Sequence, residues 1–280
     1  SRTTEPYVVT PYEGIVAFHV GGGTEVVLDD ASDLEASRAL AEGVDQVILV
    51  VGYTHIEEGE FLLSSEEANE AARLGKRTGP KPPGGDRETL KLPAEDEDLI
   101  KALADSNPNL VVVYVGGSAI DLSAWEERVP AILFAWYSGM EGGNALANIL
   151  YGEANPSGKL PFSIARQESD YPYFTPYTEK IHYGYYHGYT LFDKKGIEPA
   201  YPFGFGLSYT RYEYGDIKVL TPDVAQGETL QVEIPVSNTG PVAGEEVVQL
   251  YIGFSQSAVD RPVKLLRDFE KIALGPGETR

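Results

Sequence analysis

Apolar and polar positions follow two different rhythms, and the change falls near residue 210. Before it, short apolar runs rich in β-branched residues alternate with amphipathic stretches. The pattern predicts strands over Glu25 to Leu28, Gln46 to Val51, Leu110 to Val115 and Ala131 to Trp136, and helices over Asp33 to Ala41, Ala94 to Asp105 and Glu141 to Tyr151. Runs buried on both faces and joined by helices imply a mostly parallel, doubly wound α/β sheet. Capping chemistry marks the helices: Ser32 or Asp33 can open the first, and Gly43 stands where a left-handed C′ residue is wanted. Pro93 opens the second, Glu95 to Asp98 face the positive dipole end, Leu99, Ile100 and Leu103 form its stripe, and Asn107-Pro108 stops it.

After Tyr209 the period becomes two. Leu230, Val232, Ile234 and Val236 alternate along one strand, and Val247 to Ile252 form another beyond Asn238-Thr239-Gly240. This is an antiparallel sandwich pattern, and the residues from Ile217 onward are fewer than the roughly 100 of an immunoglobulin-type sandwich, so the module reads as partial. Between the modules, Asp170 to Tyr209 is dense in Tyr, Pro and Gly, a belt packed by its own aromatics or laid across another surface. The expected division is therefore an α/β domain over residues 1–165, a linking segment over 166–216 and a partial all-β domain over 217–280.

Composition narrows the partners. With 22 basic and 43 acidic side chains the formal charge is −21, which gives no electrostatic route to nucleic acid or to an anionic membrane. The apolar runs fall far short of the ~20 residues that span a bilayer. There are no cysteines, so disulfides and thiolate chemistry drop out while the compartment stays open. The first residues lack the regions of a signal peptide, and any targeting segment is expected to be removed or absent. The histidines, His19, His55, His182 and His187, are scattered without metal spacing; neither a metal nor another cofactor is expected. His187 is the one most open to a functional role.

In open α/β sheets, ligands bind beyond the carboxyl ends of the strands. The loop over residues 52–92 lies there and is far longer than the usual roughly 2 to 6 residues, which marks it as functional. It carries Glu57, Glu58 and Glu60 near its start and Asp86-Arg87 near its end, with a polar helix expected near Ser65 to Leu74. Carboxylates crowded this closely repel one another, which can raise one pKa and make a proton donor. A solvated acidic surface and a local Asp86-Arg87 ion pair would explain the same residues. Glu141, at a strand-to-helix junction, could face a ligand or serve the helix dipole. Ser138 is excluded as a nucleophile elbow because Trp136 and Met140 occupy the positions where glycines are needed. Gly21-Gly22-Gly23 reads as a turn rather than a dinucleotide loop.

Five segments in order make the pattern specific: Glu58-Gly59 with Gly85-Asp86-Arg87 and Leu90-Lys91-Leu92-Pro93; Trp136 to Ala147; Asn155 to Phe162; Tyr201 to Thr210; and Asn238-Thr239-Gly240 to Gln249-Leu250-Tyr251. Together they resemble the C-terminal region of glycoside hydrolase family 3, the β-glucosidase and related exo-glycosidase family, over essentially the whole chain. The resemblance implies a three-part enzyme: a (β/α)₈ barrel carrying an aspartate nucleophile, an α/β sandwich lending a glutamate acid/base on a loop, and a fibronectin type III-like domain. Only the last two match here, the sandwich without its first strand unit and the β module without its final strands. The resemblance further implies retaining hydrolysis of a β-linked saccharide or β-glycoside. Glu58 is then the acid/base candidate with Glu60 and Glu57 as alternatives, Asp86 and Arg87 brace the loop or approach the sugar, and the isolated chain is expected to be inactive. A non-catalytic carbohydrate-binding or assembly module on the same fold is the alternative.

Overall fold

A computed structural model describes residues 6–54, 87–174 and 180–280. The chain packs as two units. The first comprises Ser1–Leu146, Ile164–His187 and Ile197–Tyr201, the second Ala147–Ser163, Gly188–Gly196 and Pro202–Arg280.

The first unit is built on a parallel three-stranded sheet in the order β1-β2-β3: β1 (Val47–Gly52), β2 (Leu110–Val115) and β3 (Ala131–Phe134). The registers run Val47↔Leu110 to Gly52↔Val115 and Val111↔Ala131 to Tyr114↔Phe134. Leu110, Val112, Val113 and Tyr114 of the central strand are fully buried, as expected of a strand covered on both faces. Among the described residues, three helices accompany this sheet. The helix α1 (Pro11–Phe18) starts from a reciprocal capping box, in which Thr10 Oγ1 accepts from the Glu13 N–H and the Glu13 carboxylate accepts from the Thr10 N–H at 2.8 Å. Asp33 caps α2 (Leu34–Glu42), accepting from the N–H groups of Glu35 and Ala36. The third, α3 (Ala94–Ser106), buries Ile100 and Leu103 against β1, β2 and α2. Asn107 ends it and donates at 2.8 Å to the carbonyls of Ala41 and Val44, which ties the end of α2 to the start of β2.

A fourth helix, α4 (Gly142–Leu150), follows β3. Its Gly143 meets α1 so closely that a Cβ would lie 2.0 Å from the Thr10 carbonyl oxygen, and one on Gly14 would lie 2.2 Å from Gly143. Glycine at both positions is what permits this approach.

In the second unit, α5 (Gly188–Lys195) is followed by three two-stranded antiparallel ladders. β4 (Tyr212–Tyr214) pairs with β7 (Val236–Asn238), β5 (Lys218–Val219) with β6 (Val232–Glu233), and β8 (Gly244–Ile252) with β9 (Leu265–Leu274). Val236, Ile272 and Leu274 form the core, with Tyr212, Ile234 and Val248 packed against it. Asn238 is wholly buried. Its amide donates to the carbonyls of Val242 and Leu274, and its Oδ1 accepts from the Thr210 hydroxyl and the Gly240 N–H. The segments 155–163 and 202–210 are knitted together by Leu160 N–H to Phe205 O, Gly204 N–H to Leu160 O and Tyr209 N–H to Asn155 Oδ1, each at 2.8 Å. Two of the quoted motifs therefore serve packing.

Four expectations change. Glu25 to Leu28 is not a strand: Val27 and Leu28 are exposed, and among the described residues nothing pairs with them. Gly43 takes φ −93, right-handed rather than left-handed, because a hydrogen bond from its N–H to Leu40 O closes the helix without a Schellman turn. The strand expected through Leu230 to Val236 is divided, since Pro235 has no N–H to donate; its carbonyl accepts from Gly215 instead. The aromatic belt contains α5, whose Tyr189 hydroxyl accepts from the Leu266 N–H and whose ring packs edge-on to Tyr251. The polar helix expected near Ser65 to Leu74 lies outside the described residues.

Candidate active site at the carboxyl edge of the parallel sheet

The carboxyl ends of β1, β2 and β3 bring together Tyr53, Gly116 to Ser118, and Trp136 to Ser138. The segment expected to be a long loop follows Tyr53, and the described chain resumes at Arg87. Both feet are fastened. Tyr53 N–H continues the ladder to Val115 O at 3.0 Å, and the buried Tyr53 ring sends its hydroxyl to Lys91 O at 2.5 Å, directly linking the outgoing strand to the returning segment. Asp121 N–H donates to Leu90 O at 2.8 Å.

Arg87, at the returning foot, reaches back to the outgoing one. Its guanidinium carbon stands 4.1 Å from the centroid of the Tyr53 ring, and its Nη2 donates to Ser118 Oγ beyond β2. A planar cation over an aromatic face, with a donor left for a hydroxyl, suits arginine and not lysine. Behind this pair the rings of Tyr53, Tyr114, Phe134 and Trp136 form a chain with successive centroids 6.1, 5.0 and 6.2 Å apart. Trp136 takes φ 54, a left-handed backbone for a bulky residue, at the turn out of β3. Glu57, Glu58, Glu60 and Asp86 lie outside the described residues.

Glu141 precedes α4. Its carboxylate accepts from the Tyr7 hydroxyl at 2.5 Å and from the Asn144 amide at 2.6 Å. Those hydrogen bonds hold Glu141 below the ordinary glutamate range, and they push the Tyr7 phenol above its own. Ser138 donates to Ala135 O at 2.8 Å, so its hydroxyl is engaged in the turn. Tyr53 and Ser118 are site residues that sequence reasoning missed. The available signal was an aromatic placed immediately after the last glycine of a buried strand, at the first position of an overlong loop.

The chain as a whole is similar to proteins of known class. The sequence profile described as glycosyl hydrolase family 3 C-terminal domain matches residues 1–209, and that described as fibronectin type III-like domain matches residues 246–280. The chain belongs to glycosyl hydrolase family 3. It is 42% identical over 203 residues to the thermostable beta-glucosidase B of Acetivibrio thermocellus, covering 70% of this chain and 27% of that protein. A beta-xylosidase of Formosa agariphila is 32% identical over 283 residues, covering 98% of this chain and 35% of that protein. Among solved structures, the beta-D-glucoside glucohydrolase of Trichoderma reesei superposes with a TM-score of 0.84 at 31% identity, over 99% of this chain and 39% of that one. This family 3 chain thus spans roughly a third of the length of the relatives it matches.

Proposed function

We propose that this chain is the acid/base-bearing part of an exo-acting, retaining β-glycosidase that removes terminal non-reducing β-linked sugars, β-glucosides first among them. One observation carries the reading: in a family 3 chain, the overlong acidic loop is fastened at both feet at the edge of a parallel sheet where ligands bind, through Tyr53, Arg87 and Ser118. Relatives described as beta-glucosidase and beta-xylosidase support the substrate class. Residues 1–165 carry the loop, 166–216 link, and 217–280 form the fibronectin type III-like part.

In this reading Glu58, with Glu60 and Glu57 as alternatives, is the acid/base. A carboxylate of a (β/α)₈ barrel, in the same polypeptide or another chain, attacks the anomeric carbon. Glu58 gives its proton to the departing glycosidic oxygen as the C–O bond breaks. The Glu58 carboxylate then takes a proton from water, whose oxygen displaces the barrel carboxylate and frees the sugar with retained configuration. The two carboxyl groups must come within about 5 to 5.5 Å. Asp86 and Arg87 keep the loop seated, Arg87 through the Tyr53 ring and the Ser118 hydroxyl.

The test is Glu58→Ala in the full natural polypeptide. Turnover of substrates with poor leaving groups should fall by roughly 10² to 10⁴, while azide restores turnover of activated aryl β-glucosides and yields the β-glucosyl azide. Undiminished turnover by Glu58→Ala would sink the assignment, and saccharide binding without hydrolysis by the unmutated protein would favour a carbohydrate-binding module.

A further inference from the structure

The turn out of β3 carries an aromatic ring that proton transfer does not use. Tyr137 is 55% exposed at the carboxyl edge of the sheet. Beside it, Trp136 sends its ring back to Phe134 and turns the chain through its left-handed backbone. A bulky residue keeps that conformation only where its surroundings hold it, and such residues gather at ligand sites. Here the surroundings are specific. Ala135 N–H donates to Tyr114 O, Ser138 Oγ donates to Ala135 O and Val9 N–H donates to Met140 O, each at 2.8 Å, so the turn is fastened on both sides of Tyr137.

The ring leans across the edge of the sheet. A Cβ on Gly117 would lie 3.1 Å from Tyr137 Cε2 and 3.9 Å from its Cδ2, so one edge of the ring is seated on bare glycine backbone. Gly117 follows β2 and directly precedes Ser118, whose hydroxyl accepts from Arg87. Paired strands lie about 4.8 Å apart. A seat at the end of β2 therefore holds the ring about one strand spacing from the end of β1, where Arg87 covers Tyr53.

Retaining hydrolysis divides the two sides of the scissile bond. One carboxylate attacks the anomeric carbon, and the acid protonates the departing oxygen. Surface on the acid's side therefore meets the leaving group. We propose that Tyr137 is a specificity-determining residue whose ring is the platform for the leaving group of a β-glycoside. The leaving groups it favours have a flat apolar face, an aryl ring or the face of a pyranose, which can lie against an aromatic side chain that its turn and Gly117 already hold in place. A leaving group without such a face gains nothing from it. This role rests on the acid/base reading above.

The experiment compares kcat/KM in the full natural polypeptide for an aryl β-glucoside, a β-linked glucose disaccharide and β-glucosyl fluoride. All three deliver the same glucosyl unit, and fluoride has no face to rest on the ring. The ratios of the first two values to the third should each fall roughly threefold to tenfold in Tyr137→Ala, the loss of one aromatic contact. Tyr137→Leu, a second variant that keeps bulk without an aromatic face, should lower both ratios as well, and Tyr137→Phe should restore them. Ratios unmoved by loss of the ring, or lowered equally by Tyr137→Phe, would overturn the platform and leave the glycosidase reading standing. Failure of the unmutated polypeptide to turn over any of the three would overturn both.

Discussion

Gly52 closes β1 and launches the loop, and replacing it with alanine is a sharp test of how that foot is held. Its φ is 152, and a Cβ built there would lie 1.9 Å from the Val115 carbonyl oxygen, 2.7 Å from the carbonyl carbon and 2.9 Å from the nitrogen. All three are backbone atoms of the paired strand, so no rotamer change relieves the clash and β1 must part from β2 at this end. Overpacking of this kind costs about 1 to 3 kcal/mol, and a disfavoured backbone region adds about 1 kcal/mol or more. The movement also weakens the Tyr53 N–H to Val115 O bond, worth about 1 kcal/mol. Relief of one strain uses up another, so the net effect is roughly 3 kcal/mol. For domains of this size each kcal/mol lowers Tm by about 2 to 4 °C, which puts the transition of the first unit about 6 to 12 °C lower by calorimetry. Gly21→Ala is the control: φ is 80 and no atom lies within 4 Å of its Cβ, so only the backbone penalty of about 1 kcal/mol applies. A Gly52→Ala melting point no lower than that of Gly21→Ala would refute the close approach on which the loop's first foot depends.

Three further outcomes follow from the same geometry. A double-mutant cycle of Arg87→Ala and Tyr53→Leu, read by denaturant unfolding, should give a coupling of about 1 to 2 kcal/mol, since the ring is buried and the cation lies over its face; a coupling near zero would remove Arg87 from the clasp. Asn238→Leu should destabilise the second unit by about 3 kcal/mol or more, because the carbonyls of Val242 and Leu274 and the Gly240 N–H lose their partner, and a change within the scatter of surface substitutions would contradict that network. Glu141 has a folded pKa below its unfolded value through Tyr7 and Asn144, so its contribution is present above the unfolded pKa and is lost as pH falls through the folded one. The stability difference between the unmutated protein and Tyr7→Phe should therefore shrink on acidification through the carboxylate range, and a difference that grows would reverse the assignment.

What could be read from the sequence and what could not divides along physical lines. β1, β2 and α3 were legible because their causes are local: apolar runs of strand length, Pro93 and three acids at a helix start, and Asn107-Pro108 at its end. The helix α1 also had a local cause, the Thr10-Pro11-Tyr12-Glu13 capping box, but with eight residues it offered little periodicity to draw attention to it. Glu25 to Leu28 failed for the opposite reason. Strand formation belongs to a pair of segments, and alternation in one of them does not supply the other. The site repeats this division. An acidic cluster and an Asp-Arg step are visible within a few residues, so the candidates for proton transfer could be named from Glu57, Glu58 and Glu60. The clasp that would hold them joins Tyr53 to Lys91 across 38 positions and Arg87 to Ser118 across 31, and Glu141 meets Tyr7 across 134. No window of sequence contains both partners of any of these contacts; they exist only because parallel strands deliver their carboxyl ends to one edge. Local chemistry therefore identifies what could donate a proton, and topology decides what keeps the donor in place. Substitutions at Tyr53, Ser118 or Gly52 should accordingly disturb the loop although none of these residues carries a charge.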